Sequence, residues 1–191
     1  MTTRYEAHRP RYEELGESGR ALFDAIVSGP RAAVPGQFGL RSSDGSLAGP
    51  FGLFLLSPPL GGPLQELGAA IRTASSLSPR VRELVTLAAA VAARSTFELT
   101  AHIPLALKAG VTGEDIDAVL RCEPLADPIE TALTAFARQN VLDPAPQDEF
   151  DALAPLVPDR TLVDVIVIAG YYRTVASLLA LLGAGPTEGV C

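Results

Sequence analysis

Ser95, Glu98 and His102 stand at i, i+3 and i+7, the spacing that lines side chains along one stripe of an α-helix. A carboxylate four residues from an imidazole can orient the ring and favour its charged form. Such a pair is a proton donor or acceptor near neutral pH. Glu83 is the third candidate. It sits in RVRELVTLAAAVAA, where nearly every later residue is apolar, so it either faces solvent beside Arg80 or Arg82 or is drawn inside. If it lies inside and near Glu98, two carboxylates cannot both ionise cheaply, and one becomes a neutral acid able to deliver a proton. Each residue also has a plainer structural account. Ser95 and Glu98 fit a capping box, Ser at the N-cap and Glu three residues on. His102 is then a satisfied, half-buried side chain, and Glu83 an acid that complements the helix dipole. Spacing leaves both accounts open.

Four arginines, Arg72, Arg80, Arg94 and Arg173, are candidates to hold a substrate carboxylate through paired N–H donors. Arg72 and Arg173 interrupt apolar helical patterns. Tyr171 and Tyr172 fall in the middle of the last apolar segment, where core packing with a satisfied hydroxyl competes with lining a pocket. One histidine away from the chain start, with scattered acids, makes a poor metal site. No C-x-x-C, zinc spacing, phosphate loop or G-x-S-x-G motif occurs.

The elements that must position these residues follow from start and stop signals. Arg11 to Val27 reads as an amphipathic helix with Leu15, Leu22, Phe23 and Ile26 on one side. Residues 1–10 read as a loose arm. Residues 28–56 turn rich in Gly, Pro and Ser, carry no helical period, and read as a long loop. Ser57-Pro58 starts a helix to about Thr73 with Leu60, Leu64, Leu67 and Ile71 on one stripe, and Ser78-Pro79 starts the next. The helix capped by Ser95 ends at Gly110. Thr112, Asp127, Gln147 and Pro158-Asp159 open four more, the last reaching Leu182, and residues 183–191 read as a frayed tail. No strand alternation stands out. The expected class is all-α, one domain over residues 1–191, with the two longer central helices paired as an antiparallel hairpin.

Bulk properties narrow the function. Aromatic residues are 6% against 48% hydrophobic, so the core is built from Ala, Leu and Val, which suits closely packed helices. A net charge of −7 supplies no cationic footprint for nucleic acid. The run Leu162 to Leu182 is the most apolar, but it carries Asp164 and Arg173, each costing roughly 2.5–3.5 kcal/mol at mid-bilayer. It therefore reads as a buried helix at a subunit contact, not as a membrane span. The polar start of the chain does not resemble a secretory signal, and a cytoplasmic location is the default expectation.

Three stretches carry a family resemblance. They are Leu77-Ser78-Pro79-Arg80-Val81-Arg82-Glu83-Leu84, then Phe97-Glu98-Leu99 with Ala101-His102, then Ala106 to Val111 with the Thr112 helix start. In order, spacing and residue type the chain resembles the carboxymuconolactone decarboxylase family, which includes the alkyl hydroperoxidase D-like proteins. The resemblance implies a helical bundle of the alkyl hydroperoxidase D kind and assembly as a homotrimer or homohexamer. The peroxidase branch has a glutamate, a C-x-x-C pair and a histidine. Here Glu83 and His102 match the outer positions, while Ser95 and Glu98 occupy those of the cysteines. Thiol–disulfide chemistry needs sulfur at both, so peroxidase activity is not expected.

The decarboxylase branch implies acid–base chemistry, without metal or organic cofactor, on a small carboxylated lactone or organic acid. In that reading His102 transfers the proton, Glu98 orients it and Glu83 is a second acid. Arg72 or Arg80 would clamp the carboxylate, with Ser95 and Tyr172 lining the substrate site. The alternatives are a non-catalytic oligomeric ligand-binding member and, less favoured, a thiol peroxidase.

Overall fold

A side-chain oxygen just before a proline offers an acceptor to the free N–H groups of a new helix, and the proline's missing N–H loses nothing there. Ser78 accepts from the Val81 N–H at the start of one helix, and Asp127 accepts from the N–H groups of Ile129 and Glu130 at another. The computed structural model describes residues 7–29 and 40–183. Among them the protein is all-α, with one isolated bridge between Arg41 and Leu47 and no strand. The helices are α1 (Glu17–Ser28), α2 (Pro50–Phe54), α3 (Pro58–Thr73), α4 (Pro79–Ala92), α5 (Thr96–Lys108), α6 (Gly113–Arg121), α7 (Pro128–Leu142), α8 (Gln147–Leu153) and α9 (Asp159–Leu182). The chain divides into two compact units, residues 7–29, 40–73 and 177–183 in the first and 74–176 in the second.

In the first unit, α3 packs against α1 and α2. Leu15, Leu22, Phe23 and Ile26 are all buried, as their pattern predicts, although the helix begins only at Glu17 and a single 3-10 turn, Tyr12–Glu14, precedes it. The expected loose arm does not extend to residues 7–10: Ala7 is buried, and its N–H donates to the Leu182 carbonyl at 2.9 Å. Residues 1–6 of that arm, residues 30–39 of the expected loop and residues 184–191 of the expected tail lie outside the described residues.

Two other expectations are corrected here. The 28–56 stretch is not loop throughout, because residues 41–47 fold back on themselves and Pro50–Phe54 forms α2. The buried stripe of α3 is Gly61, Gln65, Gly68 and Ile71, while Leu60 is 69% exposed. Close approach explains the choice. A Cβ on Gly61 would collide with the Phe54 carbonyl, so only glycine lets α3 lie this near the end of α2.

The second unit is built on α4, which packs against α5, α6 and α7. Eight consecutive α4 residues, Glu83 to Ala90, are buried, so this helix is enclosed on every side. Its small side chains allow that crowding. The turn to α5 is short: the Ala93 N–H closes on the Ala89 carbonyl, Arg94 adopts φ +52° and the Ser95 N–H reaches the Ala90 carbonyl at 3.0 Å. The pair is the antiparallel hairpin that the sequence predicts. The N-terminal part of α9 belongs to this unit as well. Asp164 accepts from the Ser76 N–H and hydroxyl, which gives one of the two charges in the apolar run Leu162 to Leu182 a partner within the chain.

Candidate active site in the second unit

Glu83 projects from the start of the second turn of α4, where the enclosure of that helix leaves its carboxyl nearly covered. His102 projects from α5 across the hairpin. Its Nδ1 lies 2.7 Å from Glu83 Oε2, and Nε2 lies 3.1 Å from the Tyr172 hydroxyl of α9 and 3.4 Å from Glu98 Oε2. All four residues are 4–6% exposed. The Tyr172 ring meets the imidazole edge to face at 5.1 Å, and Tyr171 packs edge to face on Tyr172 at 5.2 Å.

The two accounts of Glu98 are thereby separated. Ser95 does cap α5, its hydroxyl accepting from the Glu98 N–H at 3.4 Å. The Glu98 carboxyl does not complete the box. The Ser95 N–H that it would accept is already bonded to the Ala90 carbonyl, and the carboxyl turns to His102 instead.

Burial by itself lowers the pKa of an imidazole, since it penalises the charged ring. Here that cost is outweighed: hydrogen bonds and charge from Glu83 first and Glu98 second hold the His102 pKa above its ordinary value of 6.5. The charged ring donates from both nitrogens, Nδ1–H to Glu83 and Nε2–H toward Glu98 and the Tyr172 oxygen. Arg82 Nε stands 3.5 Å from Glu83 Oε1. The two carboxyls thus face an imidazole and a guanidinium, and partners able to carry opposite charge are how ionisable groups are kept in a protein interior. Arg82 is one of the two partners that the sequence offers Glu83, there for a carboxyl facing solvent, whereas here the carboxyl is buried. Arg82 differs from its neighbours only in being adjacent to Glu83, and adjacency on a helix does not ordinarily bring two heads together.

Arg80 is placed differently from its expected role as a carboxylate clamp. Its Nε and Nη2 donate to the two oxygens of Glu130 at 2.8 and 2.9 Å, Nη2 donates also to Asp115 at 2.9 Å, and Nη1 donates to the Gly110 carbonyl at 2.7 Å. Its donors are committed to α6, α7 and the turn after α5, and no paired edge remains for a ligand. Arg72 is in the last turn of α3, in the first unit. Cys122, the free thiol among the described residues, is exposed at the C-cap of α6. Among these residues no group of three or more His, Cys, Asp or Glu side chains is arranged to hold a metal ion.

The second unit is thus an all-helical unit whose central hairpin closes on a histidine between two acids. Residues 58–139, which hold Glu83, Ser95, Glu98 and His102, match the model of the Carboxymuconolactone decarboxylase family. The fold is similar to the crystal structure of a protein of unknown function from Agrobacterium tumefaciens, described as a candidate antioxidant defence protein, AhpD. The TM-score is 0.58 and the identity 19%, over 70% of this chain and 94% of that one. At that identity the likeness speaks for the fold. No curated protein matches the chain.

Proposed function

We propose that the protein is an acid–base enzyme of the decarboxylase-like kind, acting without metal or organic cofactor on a small carboxylated lactone or organic acid. The observation that carries the proposal is the His102 imidazole held between Glu83 and Glu98 with Tyr172 at its outer nitrogen. In the reaction, the bond to the substrate carboxylate breaks and CO₂ leaves. The bond's electron pair stays on carbon, spread into the lactone carbonyl. Nε2 of His102 then gives its proton to that carbon and takes a new one from solvent. Glu83 keeps the ring oriented through Nδ1, and the two acids favour its protonated form. Because the four heads are nearly covered, substrate reaches Nε2 only when the Tyr172 side chain or a neighbour moves aside.

His102→Gln should lower turnover of a carboxylated lactone by roughly 10²-fold or more, read as CO₂ release, with the helical circular dichroism unchanged. Undiminished turnover would remove the ring from the mechanism. The non-catalytic reading makes a different forecast, in which no carboxylated lactone or acid is turned over although His102 titrates above 6.5 by NMR. A thiol peroxidase, the activity that the description of the Agrobacterium protein suggests, is opposed by the oxygen side chains of Ser95 and Glu98. Peroxide reduction abolished by replacing both Cys122 and Cys191 would reinstate it.

We further propose that the protein works as a cytoplasmic homo-oligomer, a trimer or hexamer, with no nucleic acid or membrane partner. Supporting this, α9 leaves Val163, Ile166, Val167 and Leu181 exposed. This helix is the one among the described residues long and apolar enough to cross a membrane, yet Val165, Ile168, Ala169, Val175 and Ala176 on it are buried. Light scattering of the purified protein in buffer without detergent checks both points.

A further inference from the structure

The first unit contains a cleft of about 510 Å³, whose walls include His8, Arg9, Arg11, Ser42, Asp44 and Ser46. The basic residues come from one short run of chain. The hydroxyls and the acid come from the turn at 41–47, which is closed by Ser42 N–H to the Ser46 carbonyl at 2.8 Å and by Gly45 at φ +88°. The packing behind Arg9 is adapted to its side chain. A Cβ on Gly52 of α2 would stand 2.7 Å from Arg9 Cδ and against the Leu47 carbonyl, so glycine at 52 is what lets the Arg9 stem pass.

Most of the charge around the cleft is already satisfied. Glu14 accepts from the Arg11 N–H at 2.8 Å, pairs with the Arg11 guanidinium at 3.3 Å, and has His8 Nε2 at 3.3 Å; its carboxyl is held down to about 2. Asp44 accepts from the Ser46 N–H at 3.0 Å and the Ser46 hydroxyl at 2.7 Å. Arg9 is the exception. Its Nε is shut off from solvent with no hydrogen-bond partner, and it makes no ion pair among the described residues. A half-buried guanidinium with no counter-charge among the described residues is costly, and in a chain of net charge −7 such a cation is not a product of general basicity.

We infer that this cleft binds a small oxyanion, a carboxylate or a phosphate group, on the Arg9 guanidinium, with the Ser42 hydroxyl as a second donor on the wall. The planar guanidinium matches the paired oxygens of either group. This site is separate from the His102 cluster and does not depend on the reaction proposed there.

Isothermal titration of the full chain at low chloride, with inorganic phosphate in one arm and succinate in the other, tests the inference. Saturation at one ligand per chain is expected in at least one arm, and the stronger arm names the group. Arg9→Gln should weaken binding by roughly tenfold or more, as loss of a hydrogen bond to a charged group implies. Ser42→Ala should weaken it a few-fold, and His102→Gln should leave it unchanged. A melting curve of Arg9→Gln that overlays the parent's removes misfolding as the cause, and Ser42→Ala carries the test alone if it does not. Three results would overturn the inference: no saturation by either anion below ~10 mM, parental affinity in both Arg9→Gln and Ser42→Ala, or binding lost in His102→Gln.

Discussion

Two ionic clusters grow from the same end of α4, one turn apart, and they differ in what their central cation can do. Arg80 gathers Glu130, Asp115 and the Gly110 carbonyl, and those acids push its pKa still further up, so it stays charged at any pH the fold survives. His102 gathers Glu83, Glu98 and Tyr172, and its raised pKa leaves it still able to lose a proton and regain it. The Arg80 cluster is a strut and the His102 cluster is a switch. Similar carboxyl partners surround both, so the chemistry of the group at the centre, not the number of ion pairs, decides which cluster suits catalysis.

Breaking the strut should give the larger effect on stability. Arg80→Ala strands Glu130 and Asp115, and because Arg80 is 30% exposed the loss should fall below that of a fully buried pair. We expect about 2–4 kcal/mol by urea unfolding, while the titration curve of His102 stays in place. If the two clusters respond together, the distinction fails.

The switch should show itself as a pH dependence. The folded pKa of His102 lies above its unfolded value of 6.5. The ring's contribution to stability is therefore fully present below about 6.5 and is lost as pH rises through the folded value, with each unit of separation equal to about 1.4 kcal/mol. Unfolding free energies measured from pH 6 upward should fall in the parent protein. This part of the slope should be absent in His102→Gln.

A smaller effect separates the cap from the site. Ser95→Ala removes the acceptor for the Glu98 N–H and should cost about 1 kcal/mol. It leaves the Glu98 carboxyl on His102, so turnover per folded molecule should hardly change.

The helix starts were legible because each is a local signal of two to four residues. Ser78-Pro79, Thr112 with Asp115, and Asp127-Pro128 all act where they were expected to. The α2 helix was not legible, since PFGLF is too short to display a period. The stripe of α3 was misread because large apolar residues were assumed to face inward, whereas contact with Phe54 selects Gly61. The pair Glu98–His102 follows from helical spacing alone. Glu83 and Tyr172 lie 19 and 70 residues from His102; their place in apolar segments marked both, and the family resemblance marked Glu83 as well. Arg80 was expected as a carboxylate clamp and went elsewhere, because its partners Asp115 and Glu130, 35 and 50 residues away, have no local signature.

Cys122 ends α6 with φ +59° and ψ +32°, a left-handed backbone that a side-chain-bearing residue adopts at a cost of roughly 1–2 kcal/mol. Glycine escapes that cost, so Cys122→Gly should raise the melting temperature, by an amount equivalent to about 1 kcal/mol, while deleting the thiol. The fold would thus be firmer without this sulfur atom, so the helix end gives up stability to carry an exposed thiol.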